Sequence, residues 1–359
     1  MQTNAIHFPH IREMSLPLKS SHMSKRNRLA AALSATGILR LLETIPSRPQ
    51  LIVLNYHRIG DADSSHFDPG VFSASAEGFD EQVRLLKSRY RFATVGQAVD
   101  IIEHRESLSE AMILITFDDG YRDNFMEAFP ILQRHGIEGI FFLVSSDTGT
   151  DRVLWWDEIA YLAKRHSPQT LRIQYPHMED FDLSPENFKE GLRRLLRVFK
   201  SPATTDPSHF FAMLKESVGF SSEDVHADLI MSWDDARAMR AGGMTIGLHA
   251  HTHRILAKLS LEQQISELKN CREKIEAEIG VETRLLAYPD GSRDSFNNQT
   301  IEAAREVGVR VAFSFYGGTN LAGEINKFDV RRVAYESYAP DSRVRLATAT
   351  MAATGKIWI

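Results

Sequence analysis

The chain has 359 residues, with 42 Lys and Arg against 47 Asp and Glu, for a formal net charge of −5. That acidic balance gives no footing for nucleic acid, which wants a basic face, and 43% hydrophobic with 25% charged residues excludes bulk disorder. One cysteine, Cys271, excludes both an internal disulfide and a cysteine-built zinc site.

Residues 1–48 read as an N-terminal extension, and 49–359 as one α/β unit. Lys25, Arg26 and Arg28 precede an apolar stretch from Leu29 to Leu39, the order of parts in an export signal, but Ser34, Thr36 and Gly37 dilute it. Ile38, Leu41, Leu42 and Ile45 have the spacing of an amphipathic helix, so a surface or docking helix competes with a signal or anchor. A cytoplasmic protein is expected over an exported one. No run of about 20 apolar residues exists to span a membrane.

Short apolar runs then alternate with amphipathic stretches. Strands are expected at Leu51–Tyr56, Ala93–Val95, Met112–Phe117, Gly139–Val144, Met244–Leu248, Leu285–Tyr288, Val309–Phe313 and Val330–Val333. Between them Phe79, Val83 and Leu86 mark one helix, Gly96–Glu103 a short one, and Phe125, Phe129 and Leu132 a third. A long helix carries Leu261, Ile265, Leu268, Ile275 and Ile279 on one face, with Ser260 to cap it and Gly280 to end it. Further helices are expected at Asn297–Val307 and Ser342–Met351. This alternation, with about seven or eight strands, predicts a parallel sheet closed into a barrel rather than an open doubly wound one, and the lack of a Gly-rich phosphate loop after the first strand counts against a dinucleotide fold. Residues 151–227 break the rhythm and read as a mostly helical insertion on one end of the barrel.

In such a barrel, functional groups gather where strands end, because those loops share one face. His57 and Arg58 follow the first strand, Asp118 and Asp119 follow Met112–Phe117, and His249, His251 and His253 follow Met244–Leu248. Pro289, Asp290 and Gly291 follow Leu285–Tyr288, while Arg331 and Arg332 lie in the last strand. The Asp pair could be a turn capping a helix near Asp123. It could instead divide two tasks, one carboxylate binding a cation and the other taking a proton from water. Three imidazoles within five residues favour the second, because burying them without partners is costly. His249 and His253, four apart, with one Asp would give three ligands and leave open positions, the pattern of a catalytic metal site. His251 should point away. Trp155, Trp156 and Trp233 could stack on a sugar or simply pack.

These motifs resemble the polysaccharide deacetylase family, also called carbohydrate esterase family 4, from LNYHRIGD at residue 54 to RRVAY at residue 335. TFDDGYRDN (116–124) is similar to the motif whose first Asp is the base and second a metal ligand, which implies Asp118 and Asp119 in those roles. IGLHAHTHRIL (246–256) resembles the metal-histidine motif and implies His249 and His253 as ligands. AYPDG (287–291) resembles the groove-wall motif, so Tyr288, Pro289, Asp290 and Gly291 are expected to bind substrate. Three departures stand out. Ala250 replaces a common Ser or Thr, Asp290 stands where an aromatic is common, and no Arg precedes the proline motif. The base-orienting Arg must then come from elsewhere, Arg332 first. No late Leu-x-Ile-His-Pro motif is present, and YHRI resembles a subgroup acting on exopolysaccharide glucosamine that uses its early His as acid, which implies His57.

The resemblance implies a deformed parallel (β/α) barrel, here of about seven strands with the helical insertion, and hydrolysis of an acetyl group on an acetylated oligo- or polysaccharide, helped by one divalent ion, zinc foremost. Asp118 is the expected base, His57 the acid, and the Gly120–Tyr121 turn supplies an N–H to the developing oxyanion. A small amide or cyclic imide as substrate, or a carbohydrate-binding scaffold without activity, are the competing readings.

Overall fold

The computed structural model describes residues 25–39, 48–167, 169–220, 225–335 and 350. Most of the Ile38–Ile45 stripe and of the Ser342–Met351 helix lies outside them; the helix Lys25–Ala35 (α1) precedes the stripe. Seven strands form the barrel: β1 Gln50–Tyr56, β2 Ala111–Phe117, β3 Gly139–Leu143, β4 Thr245–Leu248, β5 Leu285–Ala287, β6 Val311–Ser314 and β7 Val330–Ala334. Neighbours in sequence pair in parallel all the way round, and β1 closes the ring by pairing with both β2 and β7. The expected fold is therefore the observed one. The ring is uneven: β1 and β2 pair over seven residues, whereas β4 meets β5 only at Leu248 and Leu286.

Side chains alternate along each strand, and the apolar clusters follow that parity. Leu51, Val53, Met112, Leu114, Ile140, Phe142, Ala287 and Phe313 fill one cluster inside the barrel. Ile52, Leu54, Ile113, Ile115, Phe141, Ile246 and Leu286 point outward to the helices in a second, larger one. The outer ring includes α2 Ala76–Lys87 and α4 Phe129–His135, whereas the apolar residues of α3 Val95–Ile102 join the inner cluster. The short strand expected at Ala93–Val95 forms two residues earlier, at Arg91–Phe92, because Thr94 caps α3 with a full capping box.

The segment between β3 and β4 holds α5 Trp155–His166, α6 Phe188–Lys200, α7 Pro207–Ser217 and α8 Trp233–Ala241. It also holds an antiparallel hairpin, Thr170–Ile173 with Glu179–Asp182, which helical periodicity does not reveal. The hairpin and helices α5 to α7 share their own core, including Leu162, Ile173, Phe181, Leu192, Leu195 and Phe210. A separate cluster of Tyr121, Leu154, Trp156, Leu229 and Ile230 fastens this unit to the barrel rim. The remaining helices are α9 Leu261–Ile279, capped by Ser260 and ended by left-handed Gly280, and α10 Asn298–Glu306.

Candidate active site

Inner-face parity carries polar groups to the top of the barrel. Asn55, Thr116, Asp118 and Arg332 continue the inward rows begun by Val53, Leu114 and Val330, and all four are buried. Arg332 donates from Nη1 to Asp118 Oδ1 (2.7 Å) and from Nη2 to Asp118 Oδ2 (2.8 Å), a two-pronged pair with no exposed guanidinium surface. Its Nε donates to the Ser314 carbonyl at 3.1 Å, and Asn55 donates to Asp118 Oδ2 at 3.1 Å. Burial alone would raise the Asp118 carboxyl, but the Arg332 guanidinium, with His249 beyond it, holds it below the usual carboxylate range. Asp118 is thus a carboxylate held ionised and fixed in orientation. Arg331, the alternative, is exposed, and its backbone N–H donates to Asn320.

Asp119 turns the other way. Its φ of 74° is left-handed, and Gly120 follows at 77°. Its Oδ1 lies 3.3 Å from Nε2 of His249 and 3.3 Å from Nε2 of His253. One donor atom from each of the three residues falls within 4.8 Å of the others, and no other such cluster occurs among the described residues. His249 Nδ1 meets the Ala287 carbonyl at 2.9 Å, an acceptor that requires the proton on Nδ1 and turns Nε2 toward Asp119. Between that nitrogen and the Asp119 carboxylate sits either a second imidazole proton, which the neighbouring carboxylates favour, or a metal ion, and this donor set suits a divalent ion. Neither Asp118 nor Asp119 caps a helix; the chain after Asp123 makes a π turn, Asn124–Ala128, and Asp123 instead pairs with Arg58 at 2.7 Å.

Ala250 (φ 61°) and His253 (φ 53°) bend the histidine loop. Glu267 on α9 holds it, accepting from the N–H groups of His251 and Thr252 and from the Thr252 hydroxyl at 2.7 to 3.1 Å. His251 points away, to Ser145 at 2.8 Å. Trp156 packs edge-on to His253, with ring centroids 4.8 Å apart.

Tyr121 forms an antiparallel bridge with Ile230, flanked by Met231 N–H to Gly120 O and Arg122 N–H to Leu229 O. In that pattern the Tyr121 N–H points to the opposite side of the ribbon. Its hydroxyl donates to buried Asp157 (2.7 Å) and accepts from Trp156 Nε1 (2.6 Å). Burial lifts the Asp157 carboxyl to about 7, against the opposing pull of Arg58 and the Tyr121 hydroxyl. The folded protein therefore binds that proton more tightly than the unfolded chain, where Asp titrates near ~3.9. The stability this adds is complete below ~pH 4 and is lost as pH rises through about 7. Asp157→Asn is expected to flatten the dependence of Tm on pH across that window; an unchanged slope in thermal melts would assign the titration to another group.

A cavity of about 880 Å³ opens over these groups, lined by His57, Asp118, Asp119, His249, His253, Asp290, Trp155, Trp156 and Phe315 among others. The His57 ring sits 5.6 Å from that of Phe315, and Asn124 fixes the His57 backbone by donating to its carbonyl at 2.6 Å. Of the four residues expected to bind substrate, Asp290 alone reaches the cavity, where Lys200 Nζ lies 2.8 Å away. Tyr288 corrects the expectation: it is out of phase with Ala287, so it faces outward, stacks on Phe296 at 4.4 Å and donates to the Phe328 carbonyl. Pro289 is buried, and Gly291 (φ 65°) acts indirectly. Its carbonyl accepts from Phe315 N–H, and a Cβ there would stand 2.5 Å from Phe315 Cβ.

Sequence reasoning missed Asn55, Thr116, Phe315, Glu267 and Asp157. A polar residue inside an otherwise apolar strand was the available signal for Asn55; Phe315 and Asp157 had none. Trp155 lines the cavity, whereas Trp233 packs on the core and against Gly149.

Fold and site together define a class: parallel barrels that gather an Asp–His–His donor set and a separate ionised carboxylate at the C-terminal ends of their strands. The chain belongs to the polysaccharide deacetylase family, whose model matches residues 105–312. It is 26% identical over 150 residues to a Bacillus subtilis (strain 168) protein named "Putative polysaccharide deacetylase YxkH", a match covering 42% of this chain and 51% of that one. The chain thus spans about half the length of the curated relative it matches. Among solved structures it is similar to IcaB from Ammonifex degensii (TM-score 0.54, 19% identity, 85% of this chain and 98% of that one). A de-N-acetylase from Aggregatibacter actinomycetemcomitans gives TM-score 0.52 at 17% identity, covering 82% and 97%. At such identities these likenesses speak for the barrel alone.

Proposed function

We propose that this protein is a divalent-metal-dependent hydrolase that removes acetyl groups from an acetylated amino-sugar polymer or oligosaccharide. One observation carries the reading: Asp119 Oδ1 stands 3.3 Å from Nε2 of both His249 and His253, directly beside a carboxylate locked by Arg332. Asp119, His249 and His253 would hold the ion, zinc foremost, which when bound supplies a Lewis acid for the acetyl carbonyl and the attacking water. Asp118 accepts the water's proton. The Tyr121 N–H donates to the carbonyl oxygen as negative charge gathers there. His57, on the same cavity wall, protonates the departing amine. A cavity of about 880 Å³ suits sugar units better than a small cyclic imide.

Acetate release from chitotetraose, followed with and without chelator, tests the reading. Activity should vanish on chelation and return with zinc. His253→Ala should lower both bound metal, measured by mass spectrometry of the purified protein, and turnover, because two ligands hold a divalent ion poorly. Full activity in metal-free protein would overturn the assignment.

A further inference from the structure

The cavity wall opposite the strands is cationic in a protein whose net charge is −5. Arg193, Arg197 and Lys200 reach the cavity from α6, and Arg254 and Lys258 from the loop after His253. Two are spoken for: Arg193 pairs with Glu190, and Lys200 with Asp290. Lys258 donates only to the Lys200 carbonyl, and Arg197 and Arg254 make no ion pair among the described residues. On the acidic side, Asp118 is matched by Arg332, Asp119 belongs to the donor set, and Asp68 is buried with its carboxylate on the Gly70 N–H at 2.7 Å. Unpaired cations facing one concavity repel one another and raise its potential, a cost that a bound anion removes.

The position of these charges is informative. Arg254 follows the ligand residue His253 directly, so its charge begins close to the reacting centre. Arg193 and Arg197 are one helical turn apart and share a face. The apolar side of α6, with Leu192 and Leu195, is buried in the insertion's own core, so the helix has no free apolar face to lay on a lipid surface.

We propose that the cavity selects an acetylated saccharide bearing an anionic group, a phosphate or a carboxylate, on or next to the acetylated sugar. Arg197, Arg254 and Lys258 receive that group, the two guanidinium forks matching its paired oxygens. The inference rests on the proposed deacetylation for its chemistry but not for its binding.

Matched pairs of probes test it. N-acetylglucosamine 1-phosphate is compared with N-acetylglucosamine, and a tetrasaccharide alternating N-acetylglucosamine with glucuronate is compared with neutral chitotetraose. The full chain should prefer at least one anionic member by about ten- to a hundredfold in kcat/KM, the effect of one or two charge-assisted hydrogen bonds. The preference should shrink in high salt and, in the Arg197→Gln/Arg254→Gln double variant, collapse through KM. Which pair responds distinguishes phosphate from carboxylate. Calorimetric binding of the same probes is read in parallel. Anion preference in binding with no acetate release from any probe would sink the proposed reaction and leave this inference standing. Equal binding of neutral and anionic members, or a preference untouched by the double variant, would overturn it. So would binding to anionic phospholipid vesicles that depends on Arg197 and Arg254 while the saccharide probes are not discriminated.

Discussion

Replacing Asp118 by Asn is expected to leave the ion in place and reduce acetate release by about 10²- to 10⁴-fold. The ion should stay because its three proposed donors, Asp119, His249 and His253, are untouched. Turnover should fall because an amide cannot accept the proton from water. A modest loss of stability is also expected. Asp118 Oδ2 accepts from Arg332 Nη2 and from Asn55 Nδ2, while Oδ1 accepts from Arg332 Nη1, so an Asn NH₂ in either place must face a donor. Metal content and acetate release, measured on one preparation, separate the two effects. Near-normal turnover in Asp118→Asn would remove this residue from the proton path.

Arg332→Met should be the most damaging change to folding at this site. The guanidinium is fully enclosed, and its loss strands the buried Asp118 carboxylate. Breaking one side of such a pair typically costs about 3–5 kcal/mol, or roughly 5 °C in Tm for a chain of this size. The effect on proton affinity has a definite sign. Arg332 is what holds Asp118 below the usual range against burial, so without it the carboxyl moves up and the base is lost at higher pH. With Arg332 present, the stability from this pair is full above the ordinary Asp range and is lost only as pH falls through the depressed value. The decisive comparison is Arg332→Met alone against Arg332→Met with Asp118→Asn. The double variant, which removes both charges of the pair, should recover part of the melting temperature and none of the activity. Equal melting temperatures for the two would show that packing of the long side chain, not charge, is what Arg332 contributes.

Much of the molecule was legible in the amino-acid order because the physics involved is local. Continuous apolar runs separated by helical stripes specify a parallel sheet covered on both faces, and the barrel followed. The capping residue Ser260 fixed the start of α9, since the bond it makes reaches only three residues. The ionisable groups at strand ends could be placed on one rim from the sequence, because strand direction alone dictates that. The insertion was visible as a break in rhythm, but not its hairpin, which has one strand of largely charged residues (Glu179–Asp182) held by pairing rather than by pattern.

What remained hidden depends on contacts between residues far apart in sequence. Arg332 was the expected partner of Asp118, but its precedence over Arg331 is decided by which of two neighbours faces inward, and so by the register of β7 against β1. The same one-residue phase sends Tyr288 out of the site and into the helix layer, while Ala287 turns inward and offers its carbonyl to His249. Glu267 reaches the histidine loop only because α9 packs beside β4, and Asp157 reaches Tyr121 only because the insertion folds back on the rim. The order of residues determined the barrel and the chemistry available at its mouth. Only the tertiary structure decided which groups face one another there, because facing is set by strand phase and packing at long range, and a single-residue slip reverses it.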